Sequence, residues 1–109
     1  MAYDEKLAER IRSILSGRKG VSEMKMFGGI AFMLNGNMFC GIVKGELMAR
    51  LGPDGYGEAM AIPHTREMDF TGRPMKGMLY VSPRGVAGRR LKTWVQRCLR
   101  FAETLPPKR

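Results

Sequence analysis

The chain is short of the side chains that carry out most enzymatic chemistry: among 109 residues there is one histidine, His64, and there are two cysteines, Cys40 and Cys98. The cysteines lie far apart and lack the close Cys/His spacing of metal sites, so no metal is expected. A reducing cytosol disfavours their pairing, and both read as buried small hydrophobes. His64 sits beside Pro63 with no serine or cysteine nucleophile near it in sequence, the setting of a surface loop residue rather than of a catalytic base. Gly28-Gly29 lacks the rest of a GxGxxG or Walker pattern and its following helix, so it reads as a bend between strands rather than a phosphate cradle. Glu67 and Asp69 stand two apart beside Arg66 and Arg73, a solvated charge cluster rather than an acid–base pair. With no nucleophile, base pair or metal cluster left, the chain is expected not to be an enzyme and to need no cofactor.

Two further absences narrow its setting. No apolar run approaches the roughly 18 residues that cross a bilayer, so no membrane association is expected. The opening segment, residues 1–9, has no apolar stretch of the kind a secretory signal needs, so the chain is expected to stay in the cytoplasm. Acidic residues are scarce as well: ten Asp and Glu against nineteen Lys and Arg leave a formal charge of +9. That excess attracts polyanions without specifying one.

What remains is globular composition, 44% apolar and 27% charged, on a length that fits a single domain over residues 1–109. Asp4 is placed to cap a helix whose apolar residues Leu7, Ala8, Ile11, Ile14 and Leu15 recur at three and four, with Gly17 to end it. Residues 21–27 alternate loosely, as a strand does. Asn35-Gly36 and Lys44-Gly45 then separate three apolar runs across residues 30–51, which predicts a three-stranded antiparallel meander. With two-residue loops, Leu34 opposes Asn37, Phe32 opposes Phe39, Cys40 opposes Ala49 and Ile42 opposes Leu47. On that register Ala31, Met33, Met38, Cys40, Ile42, Leu47, Ala49 and Leu51 form the face under helices. Ile30, Phe32, Leu34, Phe39, Val43 and Met48, with Glu46 and Arg50 among them, form the other. Residues 53–60 suit a short helix with Pro53 in its first turn, residues 62–66 a loop, and residues 75–81 a last strand ending before Pro83. Ten methionines are many for this length, and Met33, Met38, Met48, Met75 and Met78 fall at strand positions, where they read as core filling.

From about Val86 a final helix buries Leu91, Trp94, Val95, Cys98, Ala102 and Leu105 along one arc. Arg89, Lys92, Arg97 and Arg100 fall on the opposite arc, joined by Arg90, Lys108 and Arg109. Pro106-Pro107 stops the helix.

Three segments carry a family resemblance: MFGGIAFMLNGNMFCGIV at residues 26–43, LMARLGP at 47–53 and DFTGRPMKG at 69–77. They resemble the TfoX N-terminal domain, and the likeness extends to the helix that carries Trp94. The resemblance implies an α+β fold of two layers, similar to secretion-chaperone-like folds. About five antiparallel strands would lie under helices on one face, in the order α-β-β-β-β-α-β-α. It also marks as characteristic the turns at Gly28 and Gly29 and at Arg73, Pro74, Met75, Lys76 and Gly77. The family takes its name from regulators of bacterial DNA-uptake competence, which continue into a second, helical domain that this sequence does not include.

Two binding roles follow as expectations. The first is a regulatory interaction module that takes a protein partner, or a second copy of itself, on the face bearing Ile30, Phe32, Leu34, Phe39, Val43, Met48 and Arg50. The second is a nucleic-acid-associated protein that uses Arg89, Arg90, Lys92, Arg97 and Arg100. Salt separates them, because phosphate contacts weaken steeply with ionic strength and apolar ones hardly do.

Overall fold

The computed structural model describes residues 3–26, 28–70 and 73–107. Its first helix, α1 (Glu5–Ile14), starts where the Asp4 carboxylate accepts the Leu7 N–H at 3.1 Å. Leu7, Ala8 and Ile11 are buried along one side, and Gly17, at φ +82, turns the chain out of the helix. Four strands follow: β1 (Val21–Met26), β2 (Gly29–Leu34), β3 (Asn37–Val43) and β4 (Glu46–Arg50). The β2–β3 turn has positive φ at both Asn35 and Gly36, as the mirror-image hairpin turn requires. Then come α2 (Gly52–Met60), β5 (Thr65–Phe70), β6 (Arg73–Val81), a 3-10 turn at Pro83–Val86 and α3 (Arg90–Glu103). The six strands form one antiparallel sheet in the order β1-β2-β3-β4-β6-β5.

The architecture is the expected α+β arrangement with helices packed on an open sheet, but four expectations need correction. The sheet has six strands, because residues 65 and 66, read as loop, begin β5. That strand pairs only with β6 at the sheet edge, so its sequence, TREMDF, shows little of the apolar alternation that marks interior strands. The family motif at residues 73–77 is strand rather than turn, and the last strand starts at Arg73, not Met75. The final helix begins at Arg90 after the 3-10 turn. Phe27, Lys108 and Arg109 lie outside the described residues.

The correction with the largest consequence is in the β2–β3 register. Leu34 opposes Asn37 and Met33 opposes Met38, but Phe32 then opposes Cys40, because Phe39 is the extra residue of a β-bulge. Beyond it Cys40 faces Ala49 and Ile42 faces Leu47, as expected. The bulge turns both Phe39 and Cys40 to the helix side and carries Ile30, Phe32 and Leu34 with them. All five are buried in one cluster with residues of α1, α2 and α3. In that layer α3 crosses β2, β3 and β4, α1 lies against α3, and α2 covers β5 and β6. Leu91, Trp94, Val95, Cys98 and Ala102 are the buried arc of α3, and each large side chain among them contributes about 1.5–3 kcal/mol by leaving water.

Candidate binding surfaces

The seven residues expected on the interaction face are divided between the two sides of the sheet. Ile30, Phe32, Leu34 and Phe39 lie under the helices, at 0–3% exposure. A carbonyl-to-amide ladder cannot tell one side of a sheet from the other, and only the bulge decides it. Val43, Met48 and Arg50 are on the opposite face, which no helix covers. There they meet residues the sequence reading assigned elsewhere or left out, namely Met38, Met78 and Tyr80. The alternation of Met78 and Tyr80 against Leu79 and Val81 along β6 was the available signal, since the latter two belong to the core.

This helix-free face has its own construction. Met48 is fully buried because Gly41, opposite it on β3, has no side chain: a Cβ at Gly41 would come within 2.6 Å of Met48 Cε. Tyr80 lies beside Met48 on β6 and is capped by Arg66, whose guanidinium stands 4.3 Å from the ring centroid. Arg66 is held in turn by an ion pair with Glu46. Met38 and Val43 are half-buried against this cluster, Met33 is half-buried opposite Met38, and Met24, on the edge strand, is 52% exposed. Arg50 closes one end by donating to the Met38 carbonyl at 3.1 Å, with its guanidinium 5.3 Å from the Phe101 ring centroid.

The basic residues of α3 are distributed as the helix period requires. Arg89, Arg90, Lys92 and Arg100 are exposed and Arg97 is half-buried. Among the described residues Arg97 is the one member of this group within reach of a carboxylate, Glu58 at 3.7 Å. Arg90 donates to the Arg84 carbonyl at 3.1 Å.

Of the family-motif glycines, Gly29 and Gly77 stand at close backbone approaches and Gly28 at a bend. Gly28, at φ +73, bends the chain into β2, and a Cβ on Gly29 would strike the Ile42 carbonyl. Gly77, at φ +84, lies against the Gly52 backbone, and its carbonyl accepts the Leu51 N–H at 2.7 Å. The side chains of Arg73, Pro74, Met75 and Lys76 lie outside the described residues, as does that of Asp69, read in sequence with Glu67 as part of a solvated charge cluster. His64 is exposed, with a left-handed backbone at φ +71. Burial pushes the Cys40 thiol well above its ordinary range and raises Cys98 to about 12, the latter opposed by a backbone hydrogen bond from Arg50. Among the described residues no three His, Cys, Asp or Glu side chains converge on a common point, and no helix is long and apolar enough to cross a membrane.

The family model described as the TfoX N-terminal domain matches residues 13–102. No curated protein and no solved structure matches the chain. The chain belongs to the TfoX N-terminal domain family.

Proposed function

We propose that this chain is a cytoplasmic, non-catalytic regulatory module of the competence-regulator kind, and that it works by pairing through the helix-free face of its sheet, first of all with a second copy of itself. The observation that supports this most directly is the pair of half-buried residues Met38 and Val43, which rim the buried apolar cluster of Met48, Met78 and Tyr80 on a sheet face with no helix over it. Methionine side chains adapt to a partner surface, and a twofold axis through such a face would bring the half-buried Met38 and Val43 of one copy against those of the other, over the buried cluster beneath them. Among the described residues of this face the ion pair of Arg66 with Glu46 is internally neutral, and the Arg50 guanidinium is turned to one end, to the Met38 carbonyl and the Phe101 ring. Light scattering across a concentration series tests the reading. The wild-type chain is expected to dimerise, and Met38→Asp to give a folded monomer, because a carboxylate there must be desolvated without a partner. A wild-type chain that is monomeric at every concentration, and that captures no protein Met38→Asp fails to capture, removes the proposal.

A second reading rests on the exposed arc of Arg89, Lys92 and Arg100 on α3. It predicts nucleic-acid affinity that falls steeply between low and moderate salt and is lost when Arg89, Arg97 and Arg100 are replaced by Glu. The two readings use different elements, so each variant tests one without disturbing the other.

A further inference from the structure

Where the loop before β5 meets the first turns of α3, the surface sinks into a pocket of about 280 Å³, close to the lower end of the ~300–1,000 Å³ typical of small-molecule sites. One wall is apolar, made by Ile62, Pro63 and the edge of Trp94. The other is cationic and polar, made by Arg90, Thr93 and Arg97. These three follow one another at spacings of three and four, so they share one stripe of α3, and Trp94 is the next residue round toward the core. No carboxylate is among the described residues that line the pocket.

The geometry of the pocket is fixed by the contacts its own lining residues make with the end of β6 and the 3-10 turn. His64 forms part of the rim with its left-handed backbone, and its carbonyl accepts the Ser82 N–H at 2.9 Å. Gly85 lies directly against it, since a Cβ added there would stand 3.0 Å from His64 Cβ. The loop is therefore seated on the end of β6 rather than hanging free. The hydrogen bond from Arg90 to the Arg84 carbonyl uses one of its five N–H groups and anchors its guanidinium. Arg97 is less committed. Its nearest carboxylate, on Glu58, is 3.7 Å away, beyond hydrogen-bond length, and that side chain is 77% exposed. A guanidinium fork in this state is suited to a bidentate grip on a carboxylate or phosphate.

We infer that this pocket binds a small organic anion with a flat apolar body, its ring against Ile62, Pro63 and Trp94 and its carboxylate or phosphate on Arg97 and Arg90. The pocket is lined by α3, which packs on the other side of the sheet from the methionine face, and its occupancy does not depend on whether that face pairs. It goes beyond attraction of polyanions by net charge, because it requires the ring as well as the anion.

Trp94 is the only tryptophan of the chain, so its indole N–H gives a single NMR signal that reports directly on the apolar wall. Benzoate and phenyl phosphate are the probes, with benzamide as the uncharged isostere and inorganic phosphate as the anion without a ring. We expect a saturable shift of that signal with at least one of the two organic anions by about 10 mM, a range set by the millimolar affinity of a minimal ligand. Whichever of the two binds more tightly identifies the head group. Benzamide and inorganic phosphate should each bind at least tenfold more weakly than that probe. Arg97→Gln and Arg90→Gln should each weaken it by at least tenfold, while Lys19→Gln, an equal loss of charge on an exposed loop, should leave it unchanged. The inference fails if neither organic anion saturates the signal, if benzamide binds as well as benzoate, or if Arg97→Gln binds like the wild type.

Discussion

Asn37 Nδ2 donates a 2.9 Å hydrogen bond to the Pro106 carbonyl, tying the first residue of β3 to the segment that follows α3. Asn37 is the one buried polar side chain among the described residues, at 3% exposure. The bond therefore fixes the end of the last helix across the hairpin turn that precedes it. Asn37→Ala removes the donor and leaves a carbonyl on the exposed Pro106 that water can reach. The expected cost is about 1 kcal/mol, a fall in Tm of roughly 4–8 °C, measured by thermal denaturation.

Trp94 is 3% exposed and central to the buried arc of α3. Trp94→Ala should cost about 3–5 kcal/mol, a large part of the stability of a domain this size. A melting temperature equal to the wild type would show that α3 does not dock on the sheet.

Phe39 and Met38 are neighbours in sequence and lie on opposite sides of the sheet, so carboxylates at the two positions should behave differently. Phe39 has 0% exposure within the helix-covered core, and Phe39→Asp should unfold the domain, since a buried unpaired charge costs several kcal/mol. Met38→Asp should keep the far-ultraviolet circular dichroism and a cooperative melt, and should change only the association state. A folded Phe39→Asp variant would mean that the bulge is misplaced.

The cysteines make a prediction about pH. Both thiols are buried, and Cys98 titrates at about 12, against about 8.5 for a free thiol. At pH 8 the thiolate fraction of Cys98 is on the order of 10⁻⁴ in the folded chain, so iodoacetamide labelling should be slow until denaturant is added. The sign for stability follows from the same shift. The native state keeps the proton that the unfolded state releases, so stability is full below the unfolded pKa and declines as pH rises above about 8.5. A denaturation midpoint that rises between pH 8 and pH 10 would contradict this.

Much of the fold was legible locally. Asp4 and Gly17 bound α1, Asn35-Gly36 closes the β2–β3 hairpin, and the spacing of Leu91, Trp94, Val95 and Cys98 marks the buried side of α3. Each of these is set by residues within a few positions of one another, through a cap, a positive φ or the helical period. Three features were decided only in three dimensions. The bulge at Phe39 is one: either register satisfies the turn, but only the bulged one sends Ile30, Phe32, Leu34 and Phe39 under the helices and leaves Ala31 and Gly41 for the uncovered side. That choice is made by the total apolar surface the helices can cover, a sum over distant segments that no local window contains. The second is β5, a polar edge strand whose pairing is supplied by β6. The third is the pocket, which brings residues 62–64, Gly85 and the stripe from Arg90 to Arg97 together. Sequence alone determined that α3 would carry cations along one arc and apolar residues along the other. Which of those cations would stand beside an apolar wall depended on where the loop before β5 comes to rest, and contacts between residues far apart in the chain fix that position.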